Sequence, residues 1–101
     1  MSHVRIWVHV VFATKNREPL LKKEIRGDVY KHIIENCANQ GIFLKAIKGY
    51  SDHLHCMISL GKDQSIAKIC QLIKGESSFW INKNSLTQKK FAWQDDYFAV
   101  R

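Results

Sequence analysis

One run constrains the fold of this chain more than any other: His53-Leu54-His55-Cys56-Met57-Ile58-Ser59-Leu60, in which every second residue is apolar. Side chains alternate across a strand, so Leu54, Cys56, Ile58 and Leu60 share one face and His53, His55 and Met57 the other. Burying the apolar set leaves both imidazoles on the opposite, open face. The same alternation appears near the start, where Val4, Ile6, Val8, Val10 and Phe12 oppose His3, Arg5, Trp7, His9 and Val11. That spacing predicts a first strand over residues 3–13.

Between these strands the period changes. From Leu21 to Gln40, Ile25, Val29, Ile33 and Cys37 recur every four residues, with Tyr30, Ile34 and Ala38 one step on, and Gly41 stands where a left-handed stop belongs. This is an amphipathic helix. Ile42 to Lys48 reads as a second strand, and Gly49 to Asp52 turns it into the histidine strand. After Gly61-Lys62-Asp63, either Asp63 or Ser65 can cap a second helix. Its buried side is expected at Ile66, Ile69 and Ile73, then Phe79 or Trp80, with a kink or close approach at Gly75. Asn82 to Lys90 reads as a polar loop, and Tyr97 to Arg101 begins a fourth strand.

The order β-α-β-β-α-β predicts an α+β, ferredoxin-like split arrangement, a four-stranded antiparallel sheet with two helices on one face. Right-handed crossovers leave the first and third strands adjacent in its centre. Residues 1–101 are expected to form one domain, because a chain this short buries only one modest core. Cys37, Cys56 and Cys70 are odd in number and set among apolar residues, which fits buried free thiols and a reducing, cytoplasmic setting. No stretch approaches the roughly 18 apolar residues of a membrane helix, and the N-terminal run lacks the features of a signal peptide.

The residues that carry chemistry gather at two places. His53 and His55 project from a rigid strand and can share one divalent ion. Asp52 beside them has two readings, as a carboxylate that orients one imidazole or as the residue that closes the turn. His9, on the first strand, is expected as a hydrogen-bonding neighbour of the pair. The formal charge of +7, with the surplus in the first half of the chain, points to a polyanionic partner such as nucleic acid. Lys15 and Arg17 at the end of the first strand, Lys22 and Lys23 at the start of the first helix, and Lys74 on the second are the candidate phosphate contacts. Three classes of function remain open on these residues: a metal-dependent catalytic domain acting on nucleic acid, a non-catalytic single-stranded nucleic-acid-binding module that stacks bases on the sheet, for which Trp7 is the candidate aromatic, and a small metal-dependent hydrolase of a non-nucleic substrate, which needs a pocket the sequence does not reveal.

Four blocks add a resemblance: Val8-His9-Val10-Val11-Phe12-Ala13-Thr14-Lys15-Asn16-Arg17, Asp52-His53-Leu54-His55, Leu72-Ile73-Lys74-Gly75, and Trp93-Gln94-Asp95-Asp96-Tyr97-Phe98-Ala99-Val100. In this order and at these separations the chain resembles the single-tyrosine HUH transposases of small insertion sequences and their repeat-associated relatives. The resemblance implies a homodimeric palm domain that cuts and rejoins single-stranded DNA at mobile-element ends after recognising a hairpin. His53 and His55 match the two histidines that hold Mg²⁺ or Mn²⁺ there. In that family the tyrosine that forms the 5′-phosphotyrosine link, and a glutamine on the same helix, follow the fourth strand. The nucleophile is therefore expected beyond Arg101, with this chain either a truncated or degenerate form or one whose remainder lies outside residues 1–101, and Tyr97 is expected to be a packing residue.

Overall fold

The computed structural model describes residues 5–100, so the expected strand residues His3, Val4 and Arg101 lie outside it. The elements follow as β1 (Arg5–Ala13), a single 3-10 turn (Lys15–Arg17), α1 (Lys23–Asn39), β2 (Phe43–Gly49), β3 (His53–Gly61), α2 (Ile66–Lys83) and β4 (Phe98–Val100). The strands form one antiparallel sheet in the order β2-β3-β1-β4, with the two alternating strands in its centre. The α+β, split β-α-β-β-α-β architecture is therefore present. Among the described residues no helix is long and apolar enough to cross a membrane.

Register places the apolar sets together. Val8 pairs with Ile58, Val10 with Cys56 and Phe12 with Leu54, and all six side chains are buried. Val29, Ile33 and Cys37 of α1 and Ile69, Cys70, Ile73 and Ile81 of α2 join the same core cluster, which puts both helices over this face and leaves the other without a helix among the described residues. All three cysteines are buried and unpaired. Gly41, with φ +72°, ends α1 in the left-handed conformation that glycine adopts without steric cost.

The second helix differs from its sequence reading in three respects. Ser65 caps it, its side chain accepting from the Lys68 amide at 3.3 Å, and Asp63 does not. The helix runs through Gly75 to Lys83, and a Cβ at Gly75 would meet nothing within 4 Å, so neither a break nor a close approach occurs there. Phe79 is 64% exposed, and the buried position near it belongs to Ser77. A serine can occupy the core because its hydroxyl donates to the Ile73 carbonyl at 2.5 Å and accepts the Trp93 indole N–H at 2.9 Å. Trp80, the other residue expected there, is partly buried and packs against the core cluster, and it also stacks on His32, with ring centroids 4.2 Å apart. On α1, Ile34 and Ala38 face outward, one step off the buried stripe.

The segment before β4 extends the β1 edge. Thr14 bridges Trp93, the Lys15 amide donates to Ala92 at 3.0 Å, and the Gln94 amide donates to Ala13 at 2.8 Å. Phe91 and Trp93 are thereby drawn into the core.

Candidate functional site

His53 opens β3 and His55 follows one strand step later, both partly buried on the face away from the helices, with Leu54 and Cys56 fully buried behind them. The two rings lie edge to face, with centroids 4.9 Å apart. Each imidazole is held through Nδ1. His53 Nδ1 lies 2.7 Å from Asp52 Oδ1, and Asp52 Oδ2 lies 3.2 Å from Arg17 Nε. His55 Nδ1 lies 2.9 Å from His9 Nε2, and these two rings stack with centroids 5.0 Å apart. A ring nitrogen engaged in this way leaves Nε2 as the atom left over for a ligand.

The electrostatics favour the same arrangement. The hydrogen bond from His53 holds the Asp52 carboxyl below its ordinary range, and the Arg17 guanidinium adds to the effect. Burial lowers the His55 pKa from its ordinary value, and the neighbouring charges of His53, His9 and Lys48 lower it further. Both effects favour the neutral imidazole of His55 over its charged form.

Local backbone geometry brings Arg17 to Asp52. Asn16 and Arg17 adopt φ of 58° and 55°, an uncommon left-handed pair for residues other than glycine. Two bonds fix the resulting tight turn: the Thr14 hydroxyl donates to the Glu18 carbonyl at 2.7 Å, and the Thr14 amide donates to the Asp52 carbonyl at 2.9 Å. Arg17 therefore meets a carboxylate of its own chain. Lys15 is exposed on the same turn. Lys22 and Lys23, at the entry to α1, are exposed beside Leu21, whose amide donates to the Ser51 carbonyl at 2.9 Å in the turn before the histidines. Lys74 stands in the helical layer, its ammonium donating to the Asp95 carbonyl at 2.6 Å. The first four cations thus share the end of the sheet where β3 begins, and Lys74 lies on a different layer.

Tyr50, in the turn between β2 and β3, stacks on His53 with centroids 4.8 Å apart and meets His55 edge-on at 6.1 Å. From the sequence alone Tyr50 falls within the Gly49–Asp52 turn, and nothing periodic in a turn reveals where its side chain points. The other tyrosines face the core: Tyr97 is half-buried against it, and the Tyr30 hydroxyl lies 2.8 Å from where a Cβ on Gly49 would stand.

The donor set fits a divalent ion bound by two imidazoles. Among the described residues no group of three or more His, Cys, Asp or Glu side chains is arranged to hold a metal, and His9 Nε2 is engaged by His55. The surroundings are an open sheet surface. A cavity of about 540 Å³ lies elsewhere, lined by Glu18, Lys22, Ile25 and Leu86 among others, and includes neither histidine.

Comparison with known proteins agrees with this architecture. The chain superposes with a TM-score of 0.88 on a candidate transposase from Deinococcus radiodurans R1, at 17% identity, covering 97% of this chain and 79% of the other. It also superposes with a TM-score of 0.70 on a REP-associated tyrosine transposase bound to a REP hairpin, at 16% identity, covering all of this chain and 60% of the other. At these identities the likeness establishes the fold. No curated protein sequence matches the chain. A family model of IS200-like transposases matches residues 2–101. The chain therefore belongs to the IS200-like transposase family, DNA-processing enzymes of DNA transposition.

Proposed function

We propose that the open face of this sheet carries out the metal-dependent step of single-stranded DNA cleavage and rejoining at the ends of a mobile element, with His53 and His55 as the ligands of Mg²⁺ or Mn²⁺. The observation that carries this reading is the paired restraint of the two imidazoles: His53 Nδ1 on Asp52 and His55 Nδ1 on His9. For each ring to offer Nε2, His53 donates its Nδ1 proton to Asp52 and His55 donates its own to His9. When bound, the ion supplies Lewis-acid polarisation of the scissile phosphate. Asp52 and His9 then act as positioning residues that fix ring orientation. Arg17 acts one step further out, holding the carboxylate from the other side.

DNA binding rests on the cations at the same end, Lys15, Lys22 and Lys23, with Arg17 shared between Asp52 and solvent and Lys74 contributing from the helical layer. The bound hairpin of the REP-associated relative supports hairpin or single-stranded DNA as the partner. The attacking group is a tyrosine hydroxyl that forms a 5′-phosphotyrosine link and releases a 3′-hydroxyl. Tyr30 and Tyr97 face the core and Tyr50 lies flat on His53, so none of these three tyrosines is proposed as the nucleophile. A homodimer formed through an exposed sheet edge, β4 with its short Phe98–Val100 run, completes the proposal. Sedimentation that finds only monomer at high concentration would contradict that part.

The experiment is denaturing electrophoresis of labelled hairpin DNA incubated with residues 1–101 and Mn²⁺, beside a binding assay across a salt series. Expected are binding that weakens steeply with salt and no covalent adduct. An adduct that disappears in Tyr97→Phe or Tyr50→Phe would overturn this reading of the tyrosines. Binding indifferent to salt would overturn the cationic contacts.

A further inference from the structure

The histidines occupy only one end of the open face; the other end is aromatic. Trp7 and Phe43 both pair with Ser59 in the register, from opposite sides of β3, and so share one row of the sheet. Trp7 is 50% exposed and Phe43 60%. Each has a cation over its ring: the Arg5 guanidinium lies 4.2 Å from the Phe43 centroid and Lys45 Nζ lies 6.0 Å from the Trp7 centroid. At the histidine end Tyr50 repeats the pairing, with Lys48 Nζ 5.9 Å from its centroid. Ser59 and His55 are four residues apart on one strand, about 13 Å at the usual rise.

We infer that Trp7 and Phe43 form a base-stacking platform for single-stranded DNA, continuous with the histidine centre along β3. This rests on the nucleic-acid reading above and adds to it a place where bases, rather than phosphates, are held. The chemistry on this face selects the occupant. Exposed aromatic faces accept any base, and four-stranded sheets of this general shape use such side chains to stack two or three of them. Arg5 is itself fixed by a 3.0 Å bond to the Ser59 carbonyl, so its charge is held beside the ring where a backbone phosphate would pass. The open-face positions of the described strands carry Arg5, Lys45 and Lys48 and no carboxylate. Two copies packed face to face would set these cations against each other, whereas a single strand satisfies both the rings and the charges.

The test uses fluorescence anisotropy of a short labelled oligothymidine in the presence of EDTA, so that it is independent of the metal. Trp7→Ala and Phe43→Ala are expected to weaken binding about tenfold each, and Trp7→Phe to restore most of the loss. Phe79→Ala, which removes an equally exposed ring from α2 in the helical layer, is expected to change nothing. Thermal unfolding checks that the variants fold, and Phe43→Leu gives a second variant that keeps apolar cover without a ring. Oligothymidine affinities of the Trp7 and Phe43 variants equal to wild type would overturn the platform even if Mn²⁺ binds at the histidines. Loss of affinity in these variants with no Mn²⁺ binding would sustain the platform and overturn the metal reading instead. A dimer that dissociates in Phe43→Ala would show that a second copy covers the face, and would also overturn the inference.

Discussion

Gly49 ends β2 immediately before the turn that leads to the histidines, and its lack of a side chain is a packing requirement. A Cβ there would collide with Leu54 Cδ2 and would fall 2.8 Å from the Tyr30 hydroxyl and 3.1 Å from the His53 carbonyl oxygen. A backbone oxygen cannot move aside cheaply, so Gly49→Ala is expected to lower stability by about 1–3 kcal/mol, read from urea unfolding. At Asp52 the expected effect is on ligand binding. Asp52→Asn keeps an acceptor for His53 but removes the charge that both His53 and Arg17 address, and Mn²⁺ affinity should fall by about tenfold or more. The histidine pair was legible in the sequence because strand alternation dictates the face of every second residue. The Arg17–Asp52 contact was not, because it depends on two left-handed residues, Asn16 and Arg17, that no apolar period signals.

At the scale of elements, β2 explains why the platform was half hidden. A bulge between Leu44 and Ala46 shifts the register, so that Leu44 and Ile47 both turn toward the core while Phe43, Ala46 and Lys48 line the open face. Simple alternation would set Phe43 and Ile47 on the same side, and Phe43 therefore gave no sign of its position. Trp7, on the unbulged β1, did. The helices show the same division. Stripes of Val, Ile and Cys were readable from spacing, but Ser77 holds its buried place only because Trp93, sixteen residues on, donates to it. Ser77→Ala leaves that indole N–H, on a side chain 7% exposed, without its partner. The expected cost is about 1–3 kcal/mol, measured as a shift in the urea midpoint at unchanged slope.

For the molecule as a whole, the closed side of the sheet is where stability resides and the open side is where chemistry is proposed. The three thiols report on the closed side. Burial, with the charge of Glu76 adding to it, raises the Cys37 pKa from 9.0 to about 11. Burial raises Cys70 from 9.0 to about 11 as well, and Cys56 from 9.0 to about 12, the other two thiols adding to the effect. The unfolded chain ionises these groups first, so their contribution to stability is intact below pH 9.0 and is lost as pH climbs toward 11 and 12. Urea midpoints that hold below pH 9.0 and fall above it are the expected result, together with thiol alkylation that is slow in the native state and fast in urea.

The central claim is that His53 and His55 together hold a divalent ion. It is tested most directly by titrating Mn²⁺ into the wild-type chain, His53→Ala and His55→Ala, following free Mn²⁺ by electron paramagnetic resonance. Weak binding of one ion is expected for the wild type, because two imidazoles leave most of the coordination shell to water, and each variant should abolish it. Retention of the same Mn²⁺ affinity in both variants would contradict the account.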